Sequence, residues 1–212
     1  DVSKINSSPS TYQLGYMLGP RINAGGRVGK CSHGANLLIE KNPKNVFKIA
    51  TELEQYNKER QMLERDLLNK ILQNSKDFFS DPVLILHGSN WHEGVIGIVA
   101  SRLKEKFNKP VILISVNGVI GKASARSVVG FDIGSIIIAA TQKKILLKGG
   151  GHKMAGGFTI DIENLNKFKD FIFNKYQKNN MNIDKEKILY LDSVISPTAI
   201  NLEFYNKISL IG

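Results

Sequence analysis

The chain has 212 residues, 42% of them apolar, with 29 Lys and Arg against 19 Asp and Glu for a net charge of +10. This is enough to build one large or two small globular domains, and the positive excess favours a polyanionic partner, nucleic acid first. A single cysteine, Cys31, excludes an internal disulfide and a cysteine-built zinc site, and no apolar run nears the roughly 18 residues of a membrane span, so a cytoplasmic, membrane-free protein and a monomer are expected.

Residues 1–10 are polar and begin without methionine, which reads as a cut point in a longer polypeptide. Gly19-Pro20 is punctuation ahead of Arg21-Ile22-Asn23-Ala24-Gly25-Gly26-Arg27, and Ala35–Glu40 is helix-like. From Pro43 to about Phe79, Val46, Ile49, Leu53, Tyr56, Leu63, Leu67 and Ile71 keep mostly to three- and four-residue steps, so a helix is predicted. At about 1.5 Å per residue it would span roughly 50 Å, the length of a connecting strut. Asp81-Pro82 breaks the pattern.

Strands are then predicted at Val83–His87 and Val111–Val116, with a helix over Gly94–Phe107 between them. Asn117-Gly118 signals a hairpin into a shorter strand ending near Gly121-Lys122. A helix over Ile133–Lys144, a glycine turn at Gly149–Gly151, a strand over Gly157–Ile160 and a helix over Glu163–Lys178 follow. Strands alternating with helices indicate an α/β fold, a mixed sheet flanked by helices. Asn179–Lys187 reads as a linker, and Ile188–Leu191 as a strand opening a further unit.

Four segments carry chemistry. Gly149-Gly150-Gly151-His152 is costly in backbone entropy, and its free N–H groups, with the His152 side chain at their rim, would suit a phosphate; a tight structural turn is the alternative. Arg21, Asn23 and Arg27 stand in a Gly/Ala-rich frame where two guanidinium forks could grip one phosphate, or simply face solvent. Ser124-Ala125-Arg126-Ser127 offers hydroxyls and a charge to a phosphodiester, although such serines are also ordinary turn and cap residues. In Trp91-His92-Glu93-Gly94, Trp91 reads as a partly buried anchor, with a base-stacking surface as the other option, and His92 is a phosphate-site candidate. His33 and His87 read as packed or surface residues. Asp132 and Asp161 stand apart from any string of metal-binding side chains, so metal-assisted hydrolysis would need ligands from elsewhere.

Together the runs Gly19–Gly29, Leu53–Arg60, Trp91–Leu103, Lys122–Ser127 and Gly149–Gly157 resemble the C-terminal half of the RecJ family, single-strand-specific 5′→3′ DNA exonucleases of the DHH phosphoesterase superfamily. The resemblance implies that residues 1–43 are the tail of a catalytic DHH domain, 44–80 the connecting helix, 81–180 a DHH-associated domain and 181–212 the start of an oligonucleotide-binding (OB) barrel. It implies single-stranded DNA as partner, roles in DNA repair and recombination, and Mn²⁺ or Mg²⁺ in the full-length enzyme, held by motifs not found here. Arg21, Ser124 and Arg126 would grip the terminal or scissile phosphate, and Gly149–His152 would be the phosphate-facing loop. Ala123 departs from the glycine more common there, and Gly26 and Gly156 from common alanines. The alternatives are a non-catalytic tRNA- or RNA-binding module, as in alanyl-tRNA synthetase, and a nuclease for short oligonucleotides.

Overall fold

The protein is represented by a computed structural model that describes residues 2–6, 8–74, 80–178, 189 and 191–210. The long periodic stretch forms helix α3, Pro43–Asn74, and the side chain of Asn42 accepts a hydrogen bond from the Lys44 N–H at 3.0 Å to cap it. The expected end near Phe79 lies outside the described residues. Ahead of α3 stand a π-helical turn at Gln13–Leu18, α1 at Gly19–Val28 and α2 at His33–Ile39. The Gly19-Pro20 pair therefore lies inside continuous helical backbone rather than punctuating a loop: the π-helical turn runs directly into α1, with the Gly19 N–H donating to the Leu14 carbonyl.

The rest of the described chain builds a five-stranded sheet from β1 Leu84–Ser89, β2 Val111–Asn117, β3 Ile120–Arg126, β4 Lys148–His152 and β5 Ala155–Asp161, in the order β1-β2-β3-β5-β4. β1 and β2 are parallel, joined by helix α4 at Glu93–Phe107, and the other pairs are antiparallel. Alternation along the strands sends two apolar sets to opposite faces. Ile85, Ile112, Ile114, Ala123, Ala125, Phe158 and Ile160 meet helices α5, Ile133–Gln142, and α6, Leu165–Lys178. Leu84, Leu86, Val111 and Leu113 meet α4 and the C-terminal part of α3. α4 lies over β2 and β3, with the C-terminal part of α3 beside it; the part formed by β5 and β4 extends beyond them.

Three expectations are corrected. β3 runs to Arg126 instead of ending near Lys122, because Ala123 and Ala125 are small enough to bury while Lys122, Ser124 and Arg126 alternate to the other face. Ala123 thus sits in regular strand backbone, and its difference from glycine leaves the geometry undisturbed. Gly149–Gly151 is strand β4, not a turn: among the described residues the glycines with positive φ are Gly118 and Gly130, and the chain reverses at Lys153-Met154. The glycines serve close approach here. A Cβ on Gly149 would lie 2.7 Å from Cγ2 of Ile137, and one on Gly134 2.8 Å from the Gly151 carbonyl carbon, so α5 rests almost directly on backbone, while a Cβ on Gly151 would meet the Ala155 carbonyl oxygen of β5 at 2.5 Å. The third correction concerns the C-terminus. Of the expected strand Ile188–Leu191, Ile188 and Tyr190 lie outside the described residues and Leu189 and Leu191 are not strand; beyond them come a 3₁₀ turn at Pro197–Ala199 and helix α7 at Leu202–Ser209, and no described residue there is in a strand.

Candidate nucleic-acid interface

The uncovered part of the sheet follows from the strand registers. Arg126 pairs with Ala155 and Ala155 with His152; Ser124 pairs with Gly157 and Gly157 with Gly150; Lys122 pairs with Thr159 and Thr159 with Lys148. All nine point to the α4 side, so they form three parallel rows across β3, β5 and β4, with successive rows about 7 Å apart along the strands. The middle row, Ser124-Gly157-Gly150, has almost no side-chain height. It is the floor of a trough whose walls are Lys122 and Lys148 on one side and Arg126 and His152 on the other. A cavity of about 580 Å³ lies over Ser124, Gly157 and the Lys122-Thr159-Lys148 row, closed on the α4 side by Glu93 and Ile96.

Gly150 differs from its neighbours in one decisive respect: a Cβ built on it meets nothing within 4 Å. Packing explains Gly149 and Gly151. It does not explain Gly150, whose missing side chain leaves partly exposed main chain where a ligand could lie against it.

The charge of the site is set by two arginines. Arg126 donates from Nε to Oγ of Ser101 at 3.1 Å, and from Nη1 to Oγ of Ser124 at 3.2 Å and to the Ala125 carbonyl at 2.8 Å. These neutral acceptors hold the guanidinium without neutralising it. Burial, and after it the charge of Arg27, pushes Arg126 below its ordinary pKa, the mark of a cation short of counter-charge. Arg27, at the end of α1, is exposed and donates to the Gly94 carbonyl at 3.3 Å. Among the described residues neither arginine has a carboxylate partner. Glu64, the buried acid of this region, is already bound by Arg60 at 2.7 Å and by Arg102.

Two glycines of α4 make this convergence possible. A Cβ on Gly94 would overlap the Arg27 carbonyl, and one on Gly97 would stand 2.9 Å from Oγ of Ser124 and 3.1 Å from Nη2 of Arg126. One helical turn therefore carries two notches, which seat the α1 arginine and the β3 arginine against the same helix. Here lies the physical reason for the Gly-Val-Ile-Gly spacing in the Trp91–Leu103 run.

The other expected site residues divide. His92 is the N-cap of α4, its Nδ1 accepting from the Gly94 N–H at 3.1 Å, with its ring exposed beside Arg27. Asn23 is exposed on α1. Arg21 turns away from Arg27: its Nε donates to Glu54 at 2.6 Å and its Nη1 to the Met17 carbonyl at 2.7 Å, so it ties α1 to α3 instead of joining the trough. A separation of six residues puts the two arginines on different helix faces. Ser127 is also turned inward. It is 1% exposed and donates to the Phe131 carbonyl at 2.6 Å, which makes it a turn-fixing residue. Sequence reasoning passed over Lys148, Gly157, Thr159 and Gly97, and took Lys122 only as a strand end. The period-two pattern Lys122, Ser124, Arg126 was a usable signal, whereas the pairing of Gly150 with Gly157 is a product of register.

No three His, Cys, Asp or Glu side chains converge among the described residues, so these residues do not fit a divalent-metal centre. No helix among them is long and apolar enough to cross a membrane.

Comparison with known proteins agrees with this architecture. Residues 80–178 match the DHHA1 domain. The chain is 32% identical to the single-stranded-DNA-specific exonuclease RecJ of Haemophilus influenzae, over 96% of this chain and 37% of that protein. It is 34% identical to RecJ of Escherichia coli, over 81% of this chain and 30% of the relative. It thus spans about a third of the length of the curated relatives it matches. The crystal structure of RecJ from Thermus thermophilus in complex with Mn²⁺ superposes with a TM-score of 0.83 at 26% identity, covering 98% of this chain and 30% of that one.

Proposed function

This chain belongs to the RecJ family and carries its DHHA1 domain, and on that premise we propose that its open sheet face holds the phosphates of single-stranded DNA for a 5′→3′ exonuclease. The observation that carries the reading is the pair Arg27 and Arg126, without carboxylate partners among the described residues and both seated on α4, beside a trough floored by Ser124, Gly157 and Gly150. Forked guanidinium donors suit phosphate oxygens, and their hydrogen bonds to neutral groups fix their direction before a ligand arrives. On the far wall Lys148 adds charge, and Lys122 stands paired with Glu93 at 2.9 Å. Such contacts position a strand without reading its sequence, as a nuclease acting along arbitrary DNA requires. The exposed glycine backbone admits a sugar–phosphate chain at close range.

In this reading the chain binds and orients, and hydrolysis belongs to other residues of the intact protein. Residues 1–43 are taken as the end of its catalytic domain, and α3 as the strut joining it to the DHHA1 domain. Divalent metal, present in the solved relatives, would be held there and supply the activated water. Roles in DNA repair and recombination follow for the intact enzyme.

Fluorescence anisotropy with labelled oligothymidylate, the matching duplex and tRNA at low and moderate salt tests the proposal. Preferential binding of the single strand, lost in Arg126→Ala, is the expected result. Equal binding of tRNA by wild type and Arg126→Ala would instead assign the surface to another ligand. With Mn²⁺ added, the 212-residue chain is expected to leave the oligonucleotide intact, and robust degradation would overturn the division of labour.

A further inference from the structure

A second cavity, of about 870 Å³, adjoins the trough and shares Arg27 with the phosphate grip described above. Its lining includes Arg27, Leu63, Asn90, Trp91, His92 and Asn117. Glu93 borders both cavities, and its ion pair with Lys122 at 2.9 Å stands between them. In register terms the Lys122 row continues onto β2 at Ser115, which lines the second cavity, so the two spaces lie end to end across the sheet.

Trp91 is held there as a fixed plate. One part of the indole lies flat on Gly88, where a Cβ would be 2.5 Å from the ring, and the Trp91 carbonyl accepts from Oγ of Ser115 at 2.6 Å. The ring is only partly buried, and it borders the cavity together with the Leu63 side chain from α3. Asn90, in a left-handed conformation at φ 62°, and Asn117 bring exposed amide groups to the rim. Arg27 reaches both places: it donates to the Gly94 carbonyl on the same turn of α4 that seats Arg126, and it lines this cavity.

We propose that the cavity beside Trp91 is a nucleobase pocket, which receives an unstacked base of the strand whose phosphate Arg27 holds. The inference rests on the reading of the trough as a single-strand phosphate site and adds a base-directed contact to it. A phosphate at Arg27 sets its own nucleoside within reach of the indole. An aromatic plate accepts any base, because every base has a π-face, and amides at the rim can meet its edge. The volume lies within the usual range for small-ligand sites and suits one nucleoside. Pinning one base while phosphates run along the trough fixes the strand's register as well as its path.

Trp91 is the chain's single tryptophan, so its emission reports on this pocket alone. The 212-residue chain is titrated with oligothymidylate and with an abasic oligonucleotide of the same length and charge, following anisotropy and indole emission together. The expected result is that both strands bind but only the base-bearing strand changes the emission. Trp91→Leu is expected to weaken oligothymidylate binding roughly tenfold, Trp91→Phe to retain most of it, and neither to alter abasic binding, with thermal melts confirming the fold. If both strands bind and leave the indole unchanged, or change it equally, the base pocket is wrong while the phosphate reading stands. If Trp91→Leu weakens both strands alike, its role is structural and the pocket is likewise wrong. If neither strand binds, the phosphate reading fails and this inference falls with it.

Discussion

The two faces of β3, β5 and β4 are made by alternate residues of the same strands, yet they have opposite characters. Toward α5 and α6 stand Ala123, Ala125, Phe158 and Ile160, all buried, with Gly149 bare because Ile137 of α5 presses on it and Gly151 bare because the backbone of β5 does. Toward the trough stand Lys122, Ser124, Arg126, Thr159, Lys148 and His152, with Gly150 bare although nothing of the protein fills the space. The contrast teaches that glycine has two meanings in one strand. Where a Cβ would strike protein, the glycine belongs to folding; where it would meet solvent, the glycine is available to a ligand.

Arg126 gives the largest expected effect on the open face. Arg126→Ala should weaken oligonucleotide binding by roughly ten- to a hundredfold, as expected for losing charge-assisted hydrogen bonds. Its melting temperature should change little, because the guanidinium's own burial is unfavourable; a large melting shift with unchanged affinity would put Arg126 on the folding side of the contrast. The glycines sharpen the comparison on a single strand. Gly151→Ala should cost about 1–3 kcal/mol through overpacking, read by denaturant unfolding. Gly150→Ala should instead leave stability within about 0.5 kcal/mol while lowering affinity several-fold. Equal destabilisation by both would erase the distinction.

Asp132 tests the packed face at its edge. It caps α5, accepting from the Ser135 N–H at 3.0 Å and from its hydroxyl at 2.9 Å, and these hydrogen bonds hold its carboxyl below the ordinary 3.8. A pKa lowered on folding contributes stability above pH 3.8 that is lost as pH falls through the folded value. Asp132→Ala should therefore cost about 1 kcal/mol at neutral pH. That difference should shrink in acid unfolding experiments, with DNA affinity untouched. The smallest effect concerns the far wall. Lys148→Ala should reduce the slope of log affinity against log salt by about 0.7, the value for one phosphate contact on a single strand.

Much of this was legible in the sequence, for reasons particular residues supply. The heptad-like apolar steps from Val46 to Ile71 specify α3, and the apolar runs Leu84–Leu86 and Val111–Ile114 specify strands buried on both faces. Arg27, Ser124 and Arg126 were identifiable as phosphate-binding types. The three glycines were misread as a turn because local chemistry cannot distinguish left-handed freedom from close helix packing; only the position of Ile137 and Gly134 decides it. Arg21 and Arg27 likewise looked equivalent until the helical phase of α1 turned one to Glu54 and the other to Gly94. Ser127 was drawn inward by the Phe131 carbonyl, a contact set by how the turn folds.

Everything proposed for the open face turns on where a single strand touches the sheet, and backbone amide chemical-shift mapping during an oligothymidylate titration measures that directly. The largest changes are expected on Lys122, Ser124, Arg126, Gly150 and Gly157, with α6 silent. Changes concentrated on α6 or α5, with those five amides unmoved at saturation, would contradict it.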